Sequence, residues 1–208
     1  MTTSVSEDEQ VTKTIGLIAA TAFLLLTAAC SSTPGTASPA PSSAPPAAST
    51  GSAAPKVTNP IDTSKFEHDA CSALTKEQAS QLVDAVRTNR QDSASSKPAC
   101  DWISEYGNSI SVTFLPGQGG LTSVYENARI GNVGYFEPSP AVAGYPAAFV
   151  DVTDTRKKGG CQIMVGITDA EVFAVSSILQ PDSPSYGTPC QLVTKAAESV
   201  LTTIKGGA

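Results

Sequence analysis

The chain has 208 residues, with 13 Lys+Arg against 19 Asp+Glu, a net charge of −6 at pH 7, and a single histidine. Its one tight basic cluster, Arg156-Lys157-Lys158, sits beside Gly159-Gly160 like a hairpin tip, so there is no basic surface for a nucleic-acid partner. One histidine, His68, leaves little for a histidine-based metal site or for a Ser-His or Cys-His catalyst.

Residues 15–28 carry no charge and are mostly Ile, Leu, Ala and Phe. The run is too short for a ~30 Å hydrocarbon core, which needs about 20 residues, and has the length of a signal-peptide apolar region. Leu26-Thr27-Ala28-Ala29-Cys30 follows, and it resembles a bacterial lipobox, with Thr27 where that motif prefers Leu. The resemblance implies a signal peptide over 1–29, cleavage before Cys30, and a lipid-modified Cys30 that holds the protein on the extracytoplasmic face of the cell membrane. Several acyl chains on one residue anchor stably where a single chain is marginal. The blander reading is an ordinary secreted protein with Cys30 as a spare thiol. Five cysteines leave one odd, however, and lipidation accounts for it. Upstream, Glu7, Asp8 and Glu9 stand where a signal peptide carries positive charge. A translation start at Val11 would leave Lys13 leading the apolar run, and we expect it on that ground.

Residues 30–62 are dominated by Ser, Thr, Pro, Ala and Gly. Such a segment buries too little apolar surface to offset its ordering entropy, and is read as a disordered tether. One domain is expected over 63–208, long enough for a core of its own. Thr75-Lys76-Glu77-Gln78 has the form of a capping box, and Leu82, Val83 and Val86 continue an apolar stripe, which predicts a helix over 76–86. Residues 87–98 are polar and read as a loop. Strands are predicted at 99–105 and 109–115, the second with Ile110, Val112 and Phe114 alternating with Ser111 and Thr113. Pro116-Gly117-Gln118-Gly119-Gly120 breaks the chain before a short helix over 121–129. Three more strands follow at 147–153, 161–168 and 172–179. A second capping-box pattern at Thr188-Pro189-Cys190-Gln191 then opens a helix carrying Leu192, Val193, Ala196, Ala197, Val200, Leu201 and Ile204 at helical spacing, ended by Gly206-Gly207. The expected architecture is α+β: an antiparallel sheet of about five strands with N-terminal and C-terminal helices packed on it, and two disulfides.

Cys71, Cys100, Cys161 and Cys190 lie in the exported part, where disulfides persist. None forms a C-x-x-C pair, which weakens zinc and thioredoxin-like readings. Asp69-Ala70-Cys71-Ser72-Ala73-Leu74-Thr75, Ala99-Cys100-Asp101-Trp102, Ala143-Gly144-Tyr145-Pro146-Ala147, Gly160-Cys161-Gln162-Ile163-Met164-Val165 and Pro189-Cys190 resemble, in this order, the actinobacterial lipoproteins of the LprB/LprC type, whose four-cysteine domain has no known function. The resemblance covers about 66–205. It implies a cell-surface lipoprotein with a small α+β domain, and no catalytic residues to carry over. It also bears on the pairing. Related lipoproteins often carry only the first two cysteines, so the resemblance implies Cys71–Cys100 and hence Cys161–Cys190. Each such bond would also pin a terminal helix to a strand close in the chain. The rival is Cys71–Cys190 with Cys100–Cys161.

Candidate ligand contacts are few. Trp102 is either a ligand platform or a core residue against a disulfide. His68 is either a base or a surface residue. Gly144 shapes either a pocket or a turn before Tyr145-Pro146. Tyr125, Tyr135, Phe136 and Tyr145 fall in the least regular stretch and form the weak candidate for a binding patch. No G-x-S-x-G, P-loop or H-E-x-x-H motif occurs. The expectation is a non-enzymatic binding or interaction module on the outer face of the envelope, without cofactor or metal, with a lipid, a glycan or an envelope protein as its partner. The alternative is a glycan or lipid hydrolase working through paired carboxylates.

Overall fold

The computed structural model describes residues 53–92 and 97–206. Cys30, the apolar leader, the expected start at Val11 and most of the tether lie outside the described residues. Thr75 caps the first long helix in both directions. Its hydroxyl accepts from the Gln78 backbone at 3.2 Å, while the Gln78 side chain accepts from the Thr75 backbone at 2.7 Å. A short helix α1 (Ser64–His68) and a 3-10 turn (Ala70–Ala73) precede this helix, α2 (Lys76–Val83). α2 ends three residues before the expected boundary because Asp84 takes a φ of 68° and turns the chain into a strand.

The strands are β1 (Val86–Asp92), β2 (Ala99–Ser104), β3 (Ser109–Leu115), β4 (Tyr135–Val142), β5 (Tyr145–Asp151), β6 (Gly160–Gly166) and β7 (Val172–Ile178). They form one antiparallel sheet in the order β1-β2-β3-β7-β6-β5-β4. Among the described residues this makes seven strands, where about five were expected. The two unforeseen strands are the two edges. β1 exposes every residue after Val86, so no alternation marks it. β4 carries Pro138 and Pro140, which lack an N–H and are tolerated at a sheet edge. β4 and β5 are joined by Ala143 and Gly144, both at positive φ (48° and 90°), which is what a two-residue hairpin loop requires.

One sheet face carries Trp102, Ile110, Val112, Phe114, Phe173, Val175, Ile163 and Val165, all buried. Against it lie α1, α2 and the long C-terminal helix α4 (Pro189–Gly206), which seats Leu192, Val193, Ala196, Ala197, Val200, Leu201 and Ile204 on β6 and β7. Phe66 of α1 stacks on Phe114 with ring centroids 6.0 Å apart. Disulfides join Cys71 to Cys100 and Cys161 to Cys190, with Cα–Cα distances of 5.0 and 5.1 Å. Each ties a helical segment to a strand, and each closes a loop worth about 3.5 kcal/mol on the chain-entropy account.

The folded part begins before the expected boundary at 63. The Ile61 amide donates to the Ile167 carbonyl at 3.0 Å, and the Val57 amide to Asp169 at 3.1 Å. Lys56 pairs with Asp169 at 3.2 Å. No described helix is long and apolar enough to cross a membrane.

Candidate functional site

The opposite sheet face is covered in part by α3 (Gly120–Arg129). This helix starts where the predicted chain break places it. Gly120, at φ 59°, lies so close to the turn between β6 and β7 that a Cβ would come within 2.5 Å of the Asp169 carbonyl oxygen. From there Leu121 and Val124 drop onto Val150 and Val172, with Leu115, Val133, Phe136, Met164 and the incoming Ala54 packed around them. After α3 the chain folds back. The Gly134 amide donates to the Asp151 carbonyl at 3.0 Å, which lays the 130–134 loop along the end of β5.

A cleft of about 300 Å³ remains between α3, this loop and the sheet. Leu115, Val172, Met164 and Val150 form its floor, Val124 and Ser123 a wall, and Val133 and Val152 its lips. Polar groups ring it. Gln162 donates to the Val150 carbonyl at 3.1 Å, Asn127 to the Ser123 carbonyl at 2.8 Å, and Asn132 to the Asn127 side chain at 3.3 Å. The volume is at the small end of the ligand-pocket range, and an apolar floor with a few placed polar groups is the usual make-up of such a site. Its one lining carboxylate is Asp151.

A second, open groove of about 610 Å³ runs beside the start of α4, between Asp154, Arg156, Lys157 and residues 186–191. Two of its charged side chains, Asp154 and Arg156, are engaged with each other. Arg156 donates twice to Asp154, at 2.8 and 2.7 Å, and lies 3.5 Å over the Tyr135 ring. The guanidinium hydrogen bonds hold the Asp154 carboxyl down at about 2. Tyr135 is pushed up to about 12, first by burial and then by its hydrogen bond to Glu137. Neither groove is lined by two carboxylates. Among the described residues, no cluster of three His, Cys, Asp or Glu side chains is placed to hold a metal.

The four aromatic candidates are not brought together. Tyr125 meets Phe136 edge-on at 4.9 Å on the α3 side, and burial raises the Tyr125 pKa. Tyr135 lies under Arg156, and Tyr145 is buried below Lys205 of α4. Trp102 is fully buried, which removes it as a platform, and its Nε1 has no hydrogen-bond partner among the described residues. His68 is exposed, and its backbone carbonyl accepts from Gln91 at 3.0 Å. Gly144 serves the hairpin, with open space where a Cβ would stand.

Cleft residues such as Leu115, Val150 and Met164 escaped the sequence reading because each passes for ordinary strand filling. One signal was present. Val172-Phe173-Ala174-Val175 is buried without alternation, the mark of a strand covered on both faces, so a second layer above β7 was legible.

No curated protein and no solved structure matches the chain. A family model described as "Protein of unknown function (DUF3558)" matches residues 25–203, and the chain belongs to that family.

Proposed function

We propose that this protein is an envelope lipoprotein of the LprB/LprC type, held at the extracytoplasmic face of the cell membrane through Cys30. Its domain is a non-enzymatic binding module whose ligand site is the cleft beneath α3. The observation that carries the reading is the cleft itself: an apolar floor drawn from four strands, rimmed by amide and hydroxyl side chains together with one cation, Lys97, and one carboxylate, Asp151. Such a lining takes up a small ligand by burial and orients it by a few hydrogen bonds. The lipobox resemblance at Leu26-Thr27-Ala28-Ala29-Cys30 supports the address. A hydrolase would need two facing carboxylates, and Asp151 stands alone in the lining.

Native mass spectrometry of the full chain purified from its own envelope tests the reading without presupposing a ligand. The expected result is a small-molecule adduct that Asn127→Trp, a filler on the exposed side of the cleft, removes. An adduct that survives Asn127→Trp in a folded variant, or none in either form, would contradict it.

A further inference from the structure

We infer that the cleft beneath α3 takes one extended acyl chain of a free, non-covalently bound lipid. This rests on the binding-module reading and narrows its ligand.

The first argument is shape. The floor residues Leu115, Val172, Met164 and Val150 come from β3, β7, β6 and β5, which are consecutive in the sheet. Leu115 opposes Val172, but Met164 opposes Ala174, and Val150 lies two residues beyond Ala148, the partner of Met164, so the track runs diagonally across the sheet and is about 20 Å long. Spread along it, 300 Å³ leaves a section of about 15 Å². So narrow a groove takes no more than a single hydrocarbon chain and is too narrow for a sugar ring with its hydroxyls.

The second argument is chemistry. The floor is aliphatic or thioether apart from Gln162, which shares the Met164 face of β6 and donates to the Val150 carbonyl, and no aromatic ring lines the cleft for a sugar to stack on. Met164 is unbranched and adapts to a flexible chain. Most of the other polar lining groups are already engaged with one another or with backbone.

The third argument is continuity at the mouth. Val152, on one lip, is 80% exposed. It is an apolar side chain left in water beside an apolar floor. It extends the apolar path outward, as a chain longer than the cleft needs. The described chain also enters the domain here, with Ala54 packed against the same cluster.

The test is a titration of the full chain carrying Cys30→Ala with hexanoate, decanoate and hexadecanoate, followed at the Met164 methyl by NMR. An N-acetylglucosamine oligomer serves as the polar comparison. The inference predicts saturable one-to-one binding that tightens about fourfold per added methylene from hexanoate to decanoate and goes on tightening, less steeply, to hexadecanoate as the chain reaches Val152. Asn127→Trp weakens decanoate at least tenfold, and Ser123→Trp does the same should the first variant fold poorly. Val152→Ser, at an exposed lip, weakens hexadecanoate several-fold and leaves hexanoate unchanged. A Met164 methyl that decanoate leaves unmoved overturns the inference. If the glycan oligomer moves it instead, the acyl assignment falls while the binding-module reading stands. Decanoate binding to the Cys30→Ala chain but not to the unaltered chain would mean that the protein's own lipid occupies the cleft, which also contradicts the assignment.

Discussion

Trp102 shows how a single residue divides a sequence reading from a structural one. Its place two residues after Cys100 marks it as core, and it is completely buried. Its Nε1 nonetheless makes no hydrogen bond among the described residues, and an unsatisfied buried donor costs about 1–3 kcal/mol. Trp102→Phe removes the donor with a modest loss of volume, so we predict a change within about 1 kcal/mol of neutral in urea unfolding. Trp102→Ala opens a cavity and should cost about 3–5 kcal/mol. A large loss for Trp102→Phe would mean that the indole N–H is satisfied. Tyr135 offers a second test. Its folded pKa, about 12, lies above the ordinary phenol value of 10.0, so the native state holds the proton more tightly. The resulting stability is complete below about pH 10 and is lost as pH rises through about 12. Ultraviolet titration of the phenolate should show late-titrating tyrosines, Tyr125 among them, and Tyr135→Phe should remove the latest. Tyr135→Phe should also flatten the alkaline arm of the stability profile.

At the scale of elements, what was legible followed from how one-sided each segment's surroundings are. β3 and α4 have one wet and one dry face, so periodicity marked both of them within a residue or so. β1 is exposed along nearly its whole length, and β4 holds two prolines, so neither edge strand announced itself. The α2 cap was readable because Thr75 and Gln78 interact locally. We predict that Thr75→Ala costs about 1 kcal/mol by thermal unfolding. The disulfides act between elements. Replacing Cys161 and Cys190 together by Ala should cost about 3.5 kcal/mol and loosen the start of α4 on β6, seen as faster amide exchange over the first turn of α4. Unchanged stability would mean that the bond closes a loop already held by the packing of Leu192 and Val193.

At the scale of the whole molecule the sheet has two unlike faces. One is sealed by α1, α2 and α4 around the main core. The other is only partly covered by α3, and the incomplete cover leaves the cleft. No local pattern foretells such a site, because its residues are spread over 97–172 and meet only once β5, β6 and β7 are in register. The central claim is that ligand enters on this face. Met164 is the only methionine besides Met1 and lies on the cleft floor, so its methyl group is a clean reporter. The most direct measurement is a methyl-resolved NMR titration of the full chain with decanoate, observing Met164 and the valines. The account predicts shifts at Met164, Val124, Val150 and Val172, with Val112 and Val175 of the sealed face unmoved. Shifts confined to residues around 186–191, or no shift at Met164 at saturating ligand, would contradict it.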